Sequence, residues 1–335
     1  MHQPQILRSA LHVWKEVLDC ACLAECDPTP LPDFGRTIAL HEYVGTIEQA
    51  AVETGTPSLG WEIGNAVPLL QLGDIGSAVT ASSTLATALQ RICEYFSLLQ
   101  DLTELRLVRE GGHCALSYRI LDPDIWPRHQ DSIFTLAIMA RILFAAQGFA
   151  KERAEIFLET PDHSLAADLS RVTGMACYAG AETNMIRFPS EMLDLKMRPA
   201  AAADTEKLQE LGRQLREKRR AKLVEDQVRA TIYLRLGKQS ITQGAVAREL
   251  GLSDRTLRRQ LAARDTNFQQ IVDECRIRQA VLEVRRQRSM SITEIALRLG
   301  YSEHSTFSRA FARCTGMPPQ AYLRRPDLQA PYAAA

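Results

Sequence analysis

The sequence predicts an α+β N-terminal domain, a small sheet with helices, followed by an all-α C-terminal domain of two helix-turn-helix units joined by a long helix. Three observations carry this reading. A helix–turn–helix pattern over residues 291–325 has a diluted copy about fifty residues upstream. Two alternating stretches, 104–109 and 114–120, flank Gly111-Gly112, which is the pattern of a β-hairpin. A net charge of zero hides a split: residues 1–204 hold 15 Lys/Arg against 26 Asp/Glu, and residues 205–335 hold 25 against 14. A basic C-terminal third suggests an anionic partner, although two solvated surfaces of opposite sign would read the same way.

In the stretch 291–325, Ser291 and Glu294 have the spacing of a capping box. Ile292, Ile295, Ala296 and Leu299 then recur at helical spacing. Gly300 can take the left-handed conformation that ends a helix, and Ser302 is expected to cap the next one. That second helix has an apolar face of Phe307, Ala310 and Phe311. Its outward face carries His304, Ser305, Thr306, Ser308 and Arg309. The upstream copy aligns Ser240-Ile241-Thr242-Gln243 with Ser291-Ile292-Thr293-Glu294, and Leu250-Gly251-Leu252-Ser253 with Leu299-Gly300-Tyr301-Ser302. One residue out of step, Leu257, Arg259 and Leu261 match Phe307, Arg309 and Phe311. Its second helix, about residues 253–263, turns Arg255, Thr256, Arg258 and Arg259 outward. Thr266 is expected to cap a connecting helix over 268–287, with a stripe of Phe268, Ile271, Val272, Cys275 and Leu282.

With these residues in place, the chain resembles the AraC/XylS family of transcription regulators. Ile292, Ile295, Ala296, Gly300, Tyr301, Phe307, Arg309, Phe311, Gly316 and Pro319 match the family signature, and the match covers roughly residues 222–325. Arg264-Asp265 stands where relatives often have a glycine, and Cys314 where many have an aromatic. The resemblance implies binding to double-stranded promoter DNA by two helices in successive major grooves, about 34 Å apart. The expected DNA contacts are Arg255, Thr256, Arg258, Arg259, His304, Ser305, Thr306, Ser308 and Arg309. Arginines of the first unit are suited to guanine edges. The smaller set of the second unit is suited to phosphate and shape reading.

Before this domain the order is helix, helix, loop, helix, hairpin, helix, strand, short helix, strand. A first helix is expected around Leu7, Leu11, Trp14, Val17 and Leu18, and a second over residues 36–56. Residues 57–76 read as a Gly/Pro-rich loop whose Gly60-to-Gly64 spacing fits no phosphate-binding motif. Residues 80–99 read as one long helix and 125–149 as a strongly apolar one. Ser83-Thr84-Leu85, Tyr95-Phe96 and Leu121-Asp122-Pro123 resemble the arabinose-binding-like N-terminal domain found in one branch of AraC relatives. That resemblance implies effector sensing and dimerisation, with the effector unspecified. The expected boundaries are 1–204 for this domain, 205–224 for a linker, 225–326 for the DNA-binding domain and 327–335 for a tail.

An enzyme is not expected. His41, His113, His129 and His163 lie far apart with no nucleophile motif, so no catalytic residues, cofactor or metal are assigned. Cys20, Cys22 and Cys26 are read as helix packing ahead of a thiolate cluster, and Trp61 and Trp126 as packing ahead of a pocket lining. The absence of a long apolar run or a leader gives a cytoplasmic protein with reduced thiols as the expectation. The expected function is an effector-responsive activator, a homodimer working with RNA polymerase. The alternatives are an N-terminal domain that only dimerises, or an enzyme fused to a DNA-binding domain.

Overall fold

The computed structural model describes residues 4–7, 37–197, 205–286 and 291–324. Of the first expected helix only Leu7 lies among them, as a strand residue; the rest of it, the cysteines at 20, 22 and 26, and the 327–335 tail lie outside. By their internal contacts the described residues divide into two units, those up to 120 with those of 127–220, and residues 121–126 with those from 221 on.

The N-terminal unit opens with β1 (Gln5–Leu7) paired antiparallel to β2 (Thr37–Ala39). Helices α1 (Leu40–Thr54), α2 (Leu59–Ala66), α3 (Asp74–Thr80) and α4 (Leu85–Tyr95) follow. The hairpin forms as the alternation requires, with β3 (Thr103–Glu110) against β4 (His113–Ile120) and Gly111 at φ 57 in the turn. Then come α5 (His129–Phe144), β5 (Glu155–Phe157), α6 (His163–Thr173), β6 (Ala176–Tyr178) and β7 (Asn184–Pro189). The five-stranded sheet runs β3-β4-β7-β5-β6, antiparallel except for the parallel β5–β6 pair. Helix α7 (Thr205–Ala221) closes this half, with Leu211 and Leu215 buried.

Four expectations change here. The helix expected over 36–56 begins only at Leu40, because Thr37–Ala39 pair with β1 as a strand. Residues 57–76 are not a loop but mostly helix. Gly60 and Gly64, four apart on one face of α2, lie directly on α5: a Cβ on Gly60 would sit 2.3 Å from the Gln130 carbonyl oxygen, and one on Gly64 2.5 Å from that of Phe134. The spacing therefore serves a close helix–helix crossing. The long helix over 80–99 is broken at residues 81–84, where Thr84 caps α4 by accepting from the Thr87 amide at 3.3 Å. Residues 125–128 are not helical; α5 starts only at His129.

Helix α5 is the core of this unit, buried on nearly every side. Polar groups around its start are paired inside the core. The Tyr118 hydroxyl donates to Asp131 Oδ2 at 2.5 Å and accepts from Gln100 Nε2 at 2.9 Å. Arg128 holds Glu159 through two hydrogen bonds, 2.7 and 3.1 Å. Glu48 Oε1 accepts the Gln130 amide at 2.6 Å, supplying a partner to one of the unpaired amides at the start of α5. Trp61 is buried on α2.

Alanine at Gly60 or Gly64 should destabilise the protein by about 1–3 kcal/mol, because backbone atoms block the added methyl. Alanine at Gly45, which has open space around it, should not; denaturant midpoints of the three variants decide this. Burial pushes the Glu48 carboxyl well above the usual carboxylate range, up to about 8, against the pull of the Gln130 and His129 amides. Burial likewise raises Asp131 to about 6. The folded state thus favours the protonated acids. Their stabilisation is complete below the unfolded value and is lost as pH rises, through about 6 for Asp131 and about 8 for Glu48. The unfolding midpoint of Glu48→Gln, compared with wild type, should fall less between pH about 5 and about 8.

Candidate nucleic-acid interface

The C-terminal unit is built from α8 (Val224–Arg235), α9 (Gln243–Glu249), α10 (Asp254–Ala262), α11 (Phe268–Arg286), α12 (Ile292–Arg298), α13 (His304–Thr315) and α14 (Pro319–Leu323). Helices α9–α10 and α12–α13 are the two helix-turn-helix units. Their turns have the same construction. Gly251 sits at φ 69 and Gly300 at φ 82. The Leu252 amide donates to Ala247 O at 2.8 Å, and the Tyr301 amide to Ala296 O at 3.0 Å. Glycine is required because a side chain in that conformation is strained.

Caps place the four helices. Thr242 starts α9 by accepting from the Ala245 amide at 3.3 Å. The capping box at α12 forms as the sequence implies: Glu294 N donates to Ser291 Oγ at 3.2 Å, and Ser291 N to Glu294 Oε2 at 2.8 Å. The Ser291 hydroxyl, which donates to Glu294 Oε2 at 2.7 Å, and then the Ser291 amide hold the Glu294 carboxyl below its usual range. Ser253 caps α10, its hydroxyl accepting from the Thr256 amide at 3.1 Å. Ser302 does not do the same for α13. The helix begins one residue later, with Glu303 at the cap position and no side-chain cap bond. This extra residue accounts for the one-residue slip between the two repeats. Thr266 is also not the principal cap of α11. Asn267 Oδ1 accepts the Gln270 amide and Gln270 Oε1 accepts the Asn267 amide, each at 3.0 Å.

The slip aligns the second helices position by position: Arg255 with Ser305, Thr256 with Thr306, Leu257 with Phe307, Arg258 with Ser308, and Arg259 with Arg309. Leu257 and Leu261 are buried in the first, Phe307, Ala310 and Phe311 in the second. Phe307 and Phe311 extend an aromatic chain from Tyr301 to Tyr322, with ring centroids 5.3–5.6 Å apart. The opposite faces are solvent-facing. Arg255, Arg258, Arg259, His304, Ser305, Thr306 and Arg309 are exposed; Thr256 and Ser308 are half-buried. Thr256 and Ser308 are each engaged locally, the first with Ser253 Oγ at 2.8 Å and the second with His304 Nδ1 at 3.4 Å. Arg258 reaches Asp254 at 3.3 Å, a pair exposed on both sides and easily given up. Arg255 and Arg259 carry no ion pair among the described residues. All nine expected contact residues thus lie on two equivalent helices, in two sets: three arginines on α10 against one on α13.

Helix α11 packs on the second unit directly and reaches the first through α8, which packs on α9 and α10. Arg229 of α8 pairs with Glu274 at 3.0 Å, and Arg313 of α13 with Asp273 at 3.2 Å. Arg278 holds Asp122 at 2.8 Å and Asp124 at 2.6 Å in the short segment 121–126 that clusters with this unit. The periodicity reading missed a second buried face of α11, Ile277, Ala280 and Val284, and found only the Ile271 side.

Residues 19–197 match the family model of the arabinose-binding domain of AraC transcription regulators, and residues 246–325 match a helix-turn-helix domain model. The chain belongs to the AraC family of transcription regulators. It is 30% identical over 280 residues to the ornithine utilization regulator of Pseudomonas aeruginosa, covering 81% of this chain and 80% of that one. It is 28% identical over 313 residues to an uncharacterized HTH-type transcriptional regulator of Mycobacterium tuberculosis, covering 89% and 88%. The crystal structure of the transcriptional regulator CdpR from Pseudomonas aeruginosa aligns over 95% of this chain and 98% of that one, at 20% identity and a TM-score of 0.45. As an AraC-type regulator the chain binds DNA. No described helix is long and apolar enough to cross a membrane.

The two caps separate the repeats experimentally. Ser253→Ala should cost about 1 kcal/mol through loss of a true helix cap, whereas Ser302→Ala should be close to neutral. Chemical denaturation of the full chain compares them directly.

Proposed function

We propose that this regulator reads two successive major grooves with α10 and α13, and that it is an effector-responsive activator working as a dimer alongside RNA polymerase. One observation carries the DNA-reading part. Two helix-turn-helix units with the same turn each present a polar helix face opposite an apolar one, and a single helix packs between them. In the first unit Arg255, Thr256, Arg258 and Arg259 supply base contacts, with arginine suited to the paired acceptors of guanine. In the second, His304, Ser305, Thr306, Ser308 and Arg309 serve more for phosphate contact and register.

The effector reading is supported by the match of the N-terminal residues to a domain described as arabinose-binding. That description does not fix the ligand. The relative named for ornithine utilization makes amino acids with a second amine the first class to supply alongside sugars.

Arg258→Ala tests base reading. Specific binding should weaken by about 1–3 kcal/mol, with base preference lost at one position of the site. The measurement is binding to a panel of single-base variants of a selected site. An equal loss on every sequence would assign Arg258 to phosphate. Ser308→Ala should change affinity less than Arg258→Ala on the same panel.

A further inference from the structure

A cleft in the C-terminal unit lies away from the outward faces of α10 and α13. Its volume is about 380 Å³, within the size range of small-ligand sites. One wall is the α8–α9 connection, residues 236–241; the other is the end of α12 with Gly300; Arg276 of α11 completes it. Lys238, Arg276 and Arg298 all line it, and none of the lining residues is acidic.

Arg276 gives the cleft its chemistry. Its guanidinium lies over the Tyr301 ring, with Cζ 5.1 Å from the centroid. Stacking of this kind fixes the plane of the fork and leaves its in-plane N–H edges to donate. Its Nε is buried and has no hydrogen-bond partner among the described residues. Two of the other α11 arginines have carboxylate partners: Arg278 has Asp122 and Asp124, and Arg286 has Glu283. The Arg276 Nε is closed to an outside partner, as are the buried Nε atoms of Arg229 and Arg286; the cleft meets the rest of a half-buried guanidinium able to donate to an oxyanion. Gly300 contributes space as well as its turn, since a Cβ there would lie 3.1 Å from Arg276 Nη2.

We propose that this cleft is an oxyanion site that takes one phosphate group, held by the Arg276 fork with Lys238 and Arg298 supplying charge. A DNA backbone phosphodiester and a free phosphate present the same oxygens, and the two sources are separable.

The full chain and its Arg276→Gln variant are unfolded thermally in sodium phosphate and in sodium chloride of equal ionic strength. Each is also titrated with its selected DNA site at several salt concentrations. A higher midpoint in phosphate for wild type, lost in Arg276→Gln, supports the site. If the logarithmic salt slope of DNA binding also falls by about one in the variant, the occupant is a backbone phosphate. An unchanged slope assigns the site to a free phosphate. A reduced slope without any phosphate gain again supports a backbone occupant. The proposal is overturned if wild type gains nothing in phosphate and the slope is unchanged, or if Arg276→Gln keeps the full gain. Should Arg276→Gln fail to fold, Lys238→Gln, an exposed position, is read by the same criteria. The thermal arm stands even if no specific DNA site is found, so loss of the DNA-reading proposal and loss of this one are distinguishable.

Discussion

Everything in the C-terminal unit depends on one helix being buried on two sides. Ile271, Val272, Cys275 and Leu282 form one apolar face of α11, and Ile277, Ala280 and Val284 form another, roughly opposite at 3.6 residues per turn. Neither helix-turn-helix is large enough to bury its own apolar face alone. Packed around a shared helix, and tied to it by Arg229–Glu274 and Arg313–Asp273, the elements acquire a fixed arrangement. The direct ion pairs are partly exposed and add little energy; burial supplies most of it, and the pairs contribute register.

The two units repeat a construction but not a chemistry. The same glycine turns and equivalent buried positions give the same backbone, and the two units differ in their outward positions. Arginines at 255 and 258 are replaced by serines at 305 and 308 in the second unit. That difference in charge and reach is the basis of the proposed division between base reading and backbone contact. The anion cleft lies beside the turn of the second unit, where Gly300 both closes the helix and makes room for Arg276.

In the N-terminal unit the corresponding constraint is the contact of α2 with α5. Two glycines let the helices approach backbone to backbone, and α5 carries its start of charged and polar residues into the interior with it. That interior is viable because its polar groups find partners: Asp131 with Tyr118, Arg128 with Glu159, and Glu48 with the Gln130 amide. The partners come from positions tens of residues apart, so no local pattern announces them. Gly60 and Gly64 were visible as a spacing, yet read as a loop because Gly and Pro crowd the stretch. Their four-residue interval was the one signal of a helical face.

What the sequence determined by itself was whatever local chemistry decides: helix periodicity, the capping box at Ser291, the turns at Gly251 and Gly300, the Gly-Gly hairpin, and the outward sets on α10 and α13. These depend on residues within a few positions of one another, and the repeat doubled the signal. Tertiary structure alone decided the second buried face of α11, the use of Glu303 in place of Ser302, the buried pairs around α5, and the gathering of Lys238, Arg276 and Arg298 on one cleft. Each arises from residues brought together across the chain by packing. Burial changes the value of a hydrogen bond or a charge only after the fold has placed it.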